Sequence, residues 1–250
     1  MPLRPLLVAA ACLAMAPAAC AEPAPAEPEG LEAALERVTL PSLNFEGTTL
    51  PEALAYFHLR IPELAGKRIV DFDLVDPQGT LKARRLTLRA RCLPIPVALR
   101  YFCISCGATA RYHDRSITIE PGVFPDTRTD ERKKADAALA QLREDAMKKV
   151  VVVSFLGEDL PLAEAVDHIR QYVTIRGVQP PATDMGIREP LGPPPLSNIL
   201  ILDPAGKLAG KRIANLHLKS VPATLALETI ALACGARVRF EPFATIVEPL

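Results

Sequence analysis

The residues best suited to chemistry in this sequence are two cysteines separated by two residues, Cys103-Ile-Ser-Cys106. Such a pair performs thiol–disulfide exchange when a helix N-terminus lowers the pKa of one thiol. Here the pair precedes Gly107, which is typical of a helix C-terminus, where the helix dipole disfavours a thiolate. We therefore expect these cysteines, like Cys234, to be small apolar core residues. The alternatives are a structural Cys92–Cys103 bridge and a thiol-active periplasmic enzyme that uses Cys103 and Cys106.

Other residue types give weaker indications of chemistry. Asp71 and Asp73 alternate with apolar neighbours, which predicts two solvent-facing side chains; a catalytic carboxylate pair is the alternative. The sequence has no phosphate loop, no G-x-G-x-x-G dinucleotide-binding motif, no H-E-x-x-H motif and no second ligand pair for zinc. None of the histidines lies in a nucleophile motif, and we expect all four on the surface: His58, His113, His168 and His217. We predict no catalytic, cofactor-binding or metal-binding residue, and the sequence assigns no binding residues.

Composition narrows the class of protein. The chain has 250 residues, of which 49% are apolar, and its 29 basic residues balance 29 acidic residues. A neutral chain with 5% aromatic residues and no Trp argues against nucleic-acid binding, which needs basic surface and stacking platforms.

The N-terminus is predicted to direct export. Arg4 precedes a ten-residue apolar run, and Ala19-Cys20-Ala21 forms an A-x-A cleavage site, so residues 1–21 are interpreted as a signal peptide. The alternative is lipid attachment through Cys20, which would anchor the protein peripherally to the outer membrane. No apolar run reaches the ~18 residues of a membrane span.

An internal repeat organises the remaining chain. Residues 94–121 align without gaps to residues 222–249, with nine identities in 28 positions. Upstream, Asp76-Pro-x-Gly-x-Leu81 matches Asp203-Pro-x-Gly-x-Leu208, and Phe45-x-Gly47 matches Phe155-x-Gly157. The three blocks occur in the same order in both copies, which chance explains poorly.

The helix after the Phe-x-Gly block decides the alignment. An offset of 110 residues pairs His58 with His168 but places carboxylates opposite the core face of the first copy. An offset of 112 residues matches two apolar stripes at helical spacing, and we adopt it with two extra residues in the turn of the second copy. The stripes are Leu50, Ala53, Leu54 and Phe57, and Leu162, Ala165, Val166 and Ile169.

Each copy is then predicted to be a β-α-β-β-α-β-β unit. We expect an α+β fold of two tandem domains, each a small mixed sheet with two packed helices and a lead-in helix. The second lead-in helix is expected to bury Leu139, Leu142 and Ala146. The predicted organisation is a signal peptide (1–21), a Pro/Glu tether (22–30), a first domain (31–121), a linker (122–134) and a second domain (135–250) that contains a Pro-rich insertion (177–196).

These motifs resemble the short N-terminal domain of secretins and TonB-dependent receptors. The resemblance rests on Phe45-x-Gly-x-x-Leu-Pro-Glu-Ala-Leu54, on Leu86-Thr-Leu88 before Pro94-x-x-x-Ala-Leu99, and on the closing strand Ile117-Thr-Ile119. The second copy repeats the pattern in Leu162-Ala-Glu-Ala-Val166 and in Leu216-His-Leu218 before Pro222-x-x-x-Ala-Leu227.

The resemblance implies a non-catalytic periplasmic module that contacts envelope proteins or short peptides in secretion or signalling machinery. No pore domain or receptor barrel follows residue 250, so we expect such a role to be supplied in trans. An exposed sheet edge is the expected means of binding, because it can accept an added strand.

Overall fold

The computed structural model describes residues 30–65, 70–176 and 195–250. The predicted signal peptide, almost all of the tether and most of the Pro-rich insertion lie outside the described residues. The α+β class is confirmed, since helices and small sheets containing both parallel and antiparallel pairs alternate along the chain.

Both halves of the chain have the same order of elements. The first half contains α1 (Leu31–Glu36), β1 (Thr39–Thr49), α2 (Leu50–Leu64), β2 (Asp71–Leu74), β3 (Arg85–Pro94), α3 (Ile95–Cys106), β4 (Ala108–Tyr112) and β5 (Ser116–Pro121). The second half contains α4 (Asp130–Lys148), β6 (Val151–Pro161), α5 (Leu162–Arg176), β7 (Ile199–Ile201), β8 (Arg212–Pro222), α6 (Ala223–Ala233), β9 (Ala236–Phe240) and β10 (Thr245–Pro249). Helix α4 begins within the range expected to be the linker.

The strands of each half divide between two sheets. A long antiparallel pair, β1–β3 or β6–β8, lies beside a three-stranded sheet of order β2-β5-β4 or β7-β10-β9. In each three-stranded sheet the central strand pairs in parallel with one neighbour and antiparallel with the other. Strands β2 and β7 therefore occupy matching edges.

Local chemistry explains where the helices begin and end. The Glu52 carboxylate accepts hydrogen bonds from the Thr49 backbone N–H at 2.8 Å and from its hydroxyl at 2.7 Å, which caps α2. Helix α3 ends as predicted at Gly107, whose φ of 66° is a left-handed conformation that glycine adopts without strain.

The repeated Asp-Pro-x-Gly-x-Leu sequence forms the same turn twice. The Asp76 carboxylate accepts the backbone N–H groups of Leu81 and Lys82, and Asp203 accepts those of Lys207, Leu208 and Ala209. Gly79 and Gly206 have φ values of 68° and 71°. The motif is therefore a side-chain-capped turn that carries the chain from the short edge strand to the long strand.

The offset of 112 residues extends through the strand as well as the helix. Leu43 pairs with Ala90 in β1–β3, and Phe155 pairs with Leu218 in β6–β8, so Phe155 corresponds to Leu43. The expected two-residue insertion in the second copy is therefore wrong, and the Phe-x-Gly match is a coincidence of sequence. The helix stripes predicted from this offset are confirmed, because all eight residues are buried.

The lead-in helix α4 buries a different face from the predicted one. Leu139 and Leu142 are exposed, whereas Arg143 and Met147 are buried. Arg143 occupies the place of Leu31 in the first half, and its guanidinium donates to the carbonyl oxygens of Pro195 and Asn198. Hydrogen bonds to backbone carbonyls allow this long side chain to lie where apolar periodicity predicts a leucine.

The two halves pack against each other through a shared core. One face of the β7-β10-β9 sheet joins the core of the second half, and the opposite face joins the core of the first half through Leu200, Leu202, Ala244 and Ile246. The corresponding positions of the first-half sheet are Asp73, Val75, Ser116 and Thr118. The second-half sheet is therefore buried on both faces, and the first-half sheet has one apolar face and one polar face.

Candidate partner-binding groove

A groove lies between helix α2 and the edge strand β2, with a volume of about 840 Å³. Its walls come from Leu54, His58 and Leu59 on the helix and from Asp71, Phe72 and Asp73 on the strand. Arg115 and Ser116, at the start of β5, close one end. The lining is mixed in polarity. The helix contributes the apolar Leu54, Ala55 and Leu59, and the strand contributes the carboxylates of Asp71 and Asp73.

Strand β2 presents an unpaired edge to this groove. The N–H groups of Asp71 and Val75 donate to the carbonyls of Arg115, just before β5, and Ile119 on β5. Because backbone groups alternate along a strand, the N–H and C=O groups of Phe72 point away from β5. No other strand of the described residues pairs with β2 on that side. This edge can accept the backbone of an added strand.

The carboxylates of the groove are solvent-facing, as the alternation predicted. Asp71 and Asp73 are exposed, and neither forms an ion pair with another described residue. His58, also exposed, places its Nδ1 atom 3.1 Å from the carbonyl oxygen of Val70. This contact ties α2 to the start of β2 and so sets the width of the groove.

The matching place in the second half is filled by the same chain. There, helix α5 and the start of strand β7 contact the middle of β3 from the first half. The Asn198 side chain accepts from the Arg91 N–H and donates to the Arg91 C=O, both at 2.8 Å. Arg89, two residues earlier on β3, contacts Asp167 of α5 at 3.2 Å. An extended segment therefore lies against a helix and an edge strand.

The two places correspond residue by residue but differ in chemistry. The repeat offsets pair Asp71 with Asn198 and His58 with Arg170. Arg170 bonds Asp167 and the Ile199 carbonyl, and burial lowers its pKa to about 10. In the first half the smaller His58 contacts the Val70 carbonyl in a similar way, and no described residue fills the groove.

A buried polar cluster joins the halves beside this contact. The fully buried Tyr101 hydroxyl donates to Glu241 at 2.7 Å, and Arg100 contacts the same carboxylate at 3.4 Å. Burial, with the nearby Glu241 charge, raises the pKa of Tyr101 well above its ordinary value. Burial also lowers the pKa of Arg143 to about 10. Tyr101, Arg100 and Glu241 join the two halves, and the buried Tyr101 hydroxyl and Glu241 carboxylate are not accessible to a substrate.

The cysteine pair lies where the sequence predicted. Cys103 and Cys106 are buried in the last turns of α3, and all four described cysteines are free thiols. Burial raises the pKa of both thiols, that of Cys106 from 9.0 to about 12. A buried protonated thiol is a poor nucleophile, which argues against the thiol-enzyme alternative.

The histidines do not assemble into a site. All four are exposed, as predicted, and His113 bonds Thr118 while His168 packs edge-to-face on Phe155. Among the described residues no group of three His, Cys, Asp or Glu side chains is arranged to hold a metal ion.

Sequence reasoning missed Asn198, Tyr101 and Glu241, which join the two halves, and the buried Arg143 of the second half. The repeat alignment contained one usable signal. It places Asn198 opposite Asp71 and Arg143 opposite Leu31, and a change of polarity at matched positions marks a difference in environment.

Within the three described ranges, no helix combines the length and the apolar character needed to cross a membrane. Comparison of the chain with protein-family models, with curated proteins and with solved structures found no match.

Proposed function

We propose that this protein is a non-catalytic interaction protein of the bacterial cell envelope, exported to the periplasm, that binds an extended segment of a partner protein. The α2–β2 groove is the proposed binding place, and the partner's backbone adds to the edge of β2. The proposal keeps the resemblance to the short N-terminal domain of secretins and TonB-dependent receptors as its family hypothesis.

One observation carries the proposal. The second-half place that corresponds to the groove holds an extended segment of the same chain, the middle of β3, through the side chains of Asn198 and Asp167. The repeated unit therefore has a shape suited to an extended backbone at this position. The first half retains that shape with no described residue in it.

Site-specific photocrosslinking tests the proposal in the envelope. A photoreactive residue replaces Leu59, which lines the groove and is 66% exposed; the matched control replaces Leu142 on α4, also 66% exposed. We expect a discrete adduct with one protein from position 59 and none of that adduct from position 142.

A blocking variant ties the adduct to the groove. Ala55 is exposed and lines the groove, so Ala55→Trp fills it without entering the core. Ala138→Trp, at an exposed site on α4, is the control. We expect Ala55→Trp to remove the position-59 adduct and Ala138→Trp to leave it. Equal adducts from both crosslinking positions, or an adduct that survives Ala55→Trp, would refute the proposal.

A further inference from the structure

We infer that the segment bound by the α2–β2 groove carries basic side chains at alternate positions, a Lys/Arg-x-Lys/Arg stretch in extended conformation. This inference rests on the proposed function and adds the chemistry of the partner. It follows from the charges on β2 and from the segment that fills the corresponding place in the second half.

Two carboxylates on β2 set the spacing. Asp71 and Asp73 are two residues apart, so they project from the same face of the strand about 7 Å from each other. A strand added to this edge places its own alternate residues at the same spacing. Both carboxylates are exposed and without an ion-pair partner among the described residues, so they can pair with two cations of a bound segment.

The segment in the second half has basic residues at this spacing. The middle of β3 reads Arg89-Ala90-Arg91; the Arg89 guanidinium meets Asp167 on α5, whereas Asn198 holds Arg91 through its backbone and not through its charge. In the first half, Ala55 stands in the place of Asp167 and Asp71 in that of Asn198. The acidic charge therefore lies on the helix wall in the second half and on the strand wall in the first half, and in either place it attracts a cation.

Arg115 sets a limit on that preference. It closes the groove beside Asp71 and makes no ion pair with another described residue. Besides His58, the wall carries two negative charges, on Asp71 and Asp73, and one positive charge, on Arg115. A bound segment therefore gains from basic residues opposite Asp71 and Asp73 but not from an unbroken basic run that reaches Arg115.

A second copy of this chain is a poor occupant. Docked like the intramolecular contact, it would present β8 and α6, and α6 exposes Leu225 and Leu232. These leucines would lie against the first-half sheet, where Asp73 and Thr118 replace Leu200 and Ile246. Burying a carboxylate against leucine without a partner is unfavourable, so the charges favour a different protein.

Synthetic peptides test the inference directly. Three labelled ten-residue peptides alternate Thr with Lys, Gln or Glu, and fluorescence anisotropy measures their binding to the full chain at low and moderate salt. We expect the Lys peptide to bind most tightly and the Glu peptide most weakly. Two cross-strand charge pairs correspond to about a 2- to 30-fold difference between the Lys and Gln peptides.

Paired variants connect that difference to β2. The double variant Asp71→Asn with Asp73→Asn should reduce binding of the Lys peptide to the level of the Gln peptide. The control Asp130→Asn with Glu131→Gln, on exposed α4, removes the same charge and should leave the difference intact. Equal binding of the Lys and Gln peptides overturns the inference, as does a difference that survives the β2 variant.

The outcomes separate this inference from the proposed function. If the Gln peptide binds as well as the Lys peptide and Ala55→Trp blocks both, the groove binds extended chains without the inferred charge preference. If no peptide binds while position 59 still crosslinks a partner, the inferred chemistry is overturned and the proposed function stands. Sedimentation of the free protein as a dimer that Ala55→Trp dissociates would identify a second copy as the occupant and overturn the inference.

Discussion

Replacing Asn198 with Ala should destabilise the whole chain, because this side chain joins its two halves. Asn198 is 1% exposed and makes three hydrogen bonds, two with the Arg91 backbone at 2.8 Å and one with the Phe243 carbonyl at 3.1 Å. Each bond contributes about 0.5–1.5 kcal/mol to stability. Without Asn198, the Arg91 backbone N–H and C=O would also stay partly buried with no hydrogen-bond partner, which adds to the cost. We expect a loss of about 2–4 kcal/mol.

Asn198→Asp should cost more than Asn198→Ala. It keeps an acceptor for the Arg91 N–H but turns a donor into a carboxylate oxygen that faces two carbonyl oxygens. An uncompensated charge at such a site lowers the free energy of unfolding by about 3–5 kcal/mol.

The matched control is Asp71→Asn at the corresponding exposed position of the first half, which should change the free energy of unfolding by less than about 0.5 kcal/mol.

Urea unfolding followed by circular dichroism measures these differences. With a slope of about 2 kcal/mol per molar urea, Asn198→Ala should lower the midpoint by about 1–2 M. A midpoint within about 0.2 M of the wild type, or an equal effect of Asp71→Asn, would refute the assigned role of Asn198.

Three further predictions concern the thiols, the turns and the α2 cap. At pH 8, Cys106 should react with iodoacetamide about a thousand times more slowly than an ordinary cysteine, because raising its pKa from 9.0 to about 12 lowers the thiolate fraction by that factor; labelling at an ordinary rate in the folded protein would contradict its burial. Asp203→Ala should cost about 2 kcal/mol in thermal or urea unfolding because three backbone N–H groups lose their acceptor, and Asp203→Asn should recover part of that loss. Hydrogen bonds from Thr49 hold the pKa of Glu52 below 4.5, so the stability it provides is complete above about pH 5 and is lost as pH falls through the lowered pKa. The difference in unfolding midpoint between wild type and Glu52→Gln should therefore shrink on acidification, and a difference that grows would show that the sign is wrong.

Periodicity and turn chemistry predicted the elements of each half well. The core stripes of α2 and α5, the closing hairpins and the glycine at the end of α3 are all determined by nearby residues. The error over Phe155 has a physical cause. Its ring covers Gly157, where an added Cβ would meet the ring at 3.0 Å, so the aromatic side chain reaches the place of Phe45 from two residues earlier on the strand. The match of residue types therefore misled the alignment, although the rings of Phe45 and Phe155 fill the same place in the two halves.

The groove could be predicted only in outline. An exposed sheet edge was expected, but which edge stays open depends on how the halves pack. Strand β7 is covered because Leu200 and Ile246 of its sheet pack into the first-half core. The corresponding residues of the first half, Asp73 and Thr118, are polar, so no such packing covers β2. These contacts join residues more than 100 positions apart, and no local pattern specifies them.

The sheet with two apolar faces makes the first half depend on the second half for its cover. The strands that provide this cover, β7 and β10, lie in the last third of the chain. A fragment that ends after residue 121 would therefore expose to water the surface that receives Leu200 and Ile246 in the full chain. Such a fragment should be more prone to aggregate than the full chain.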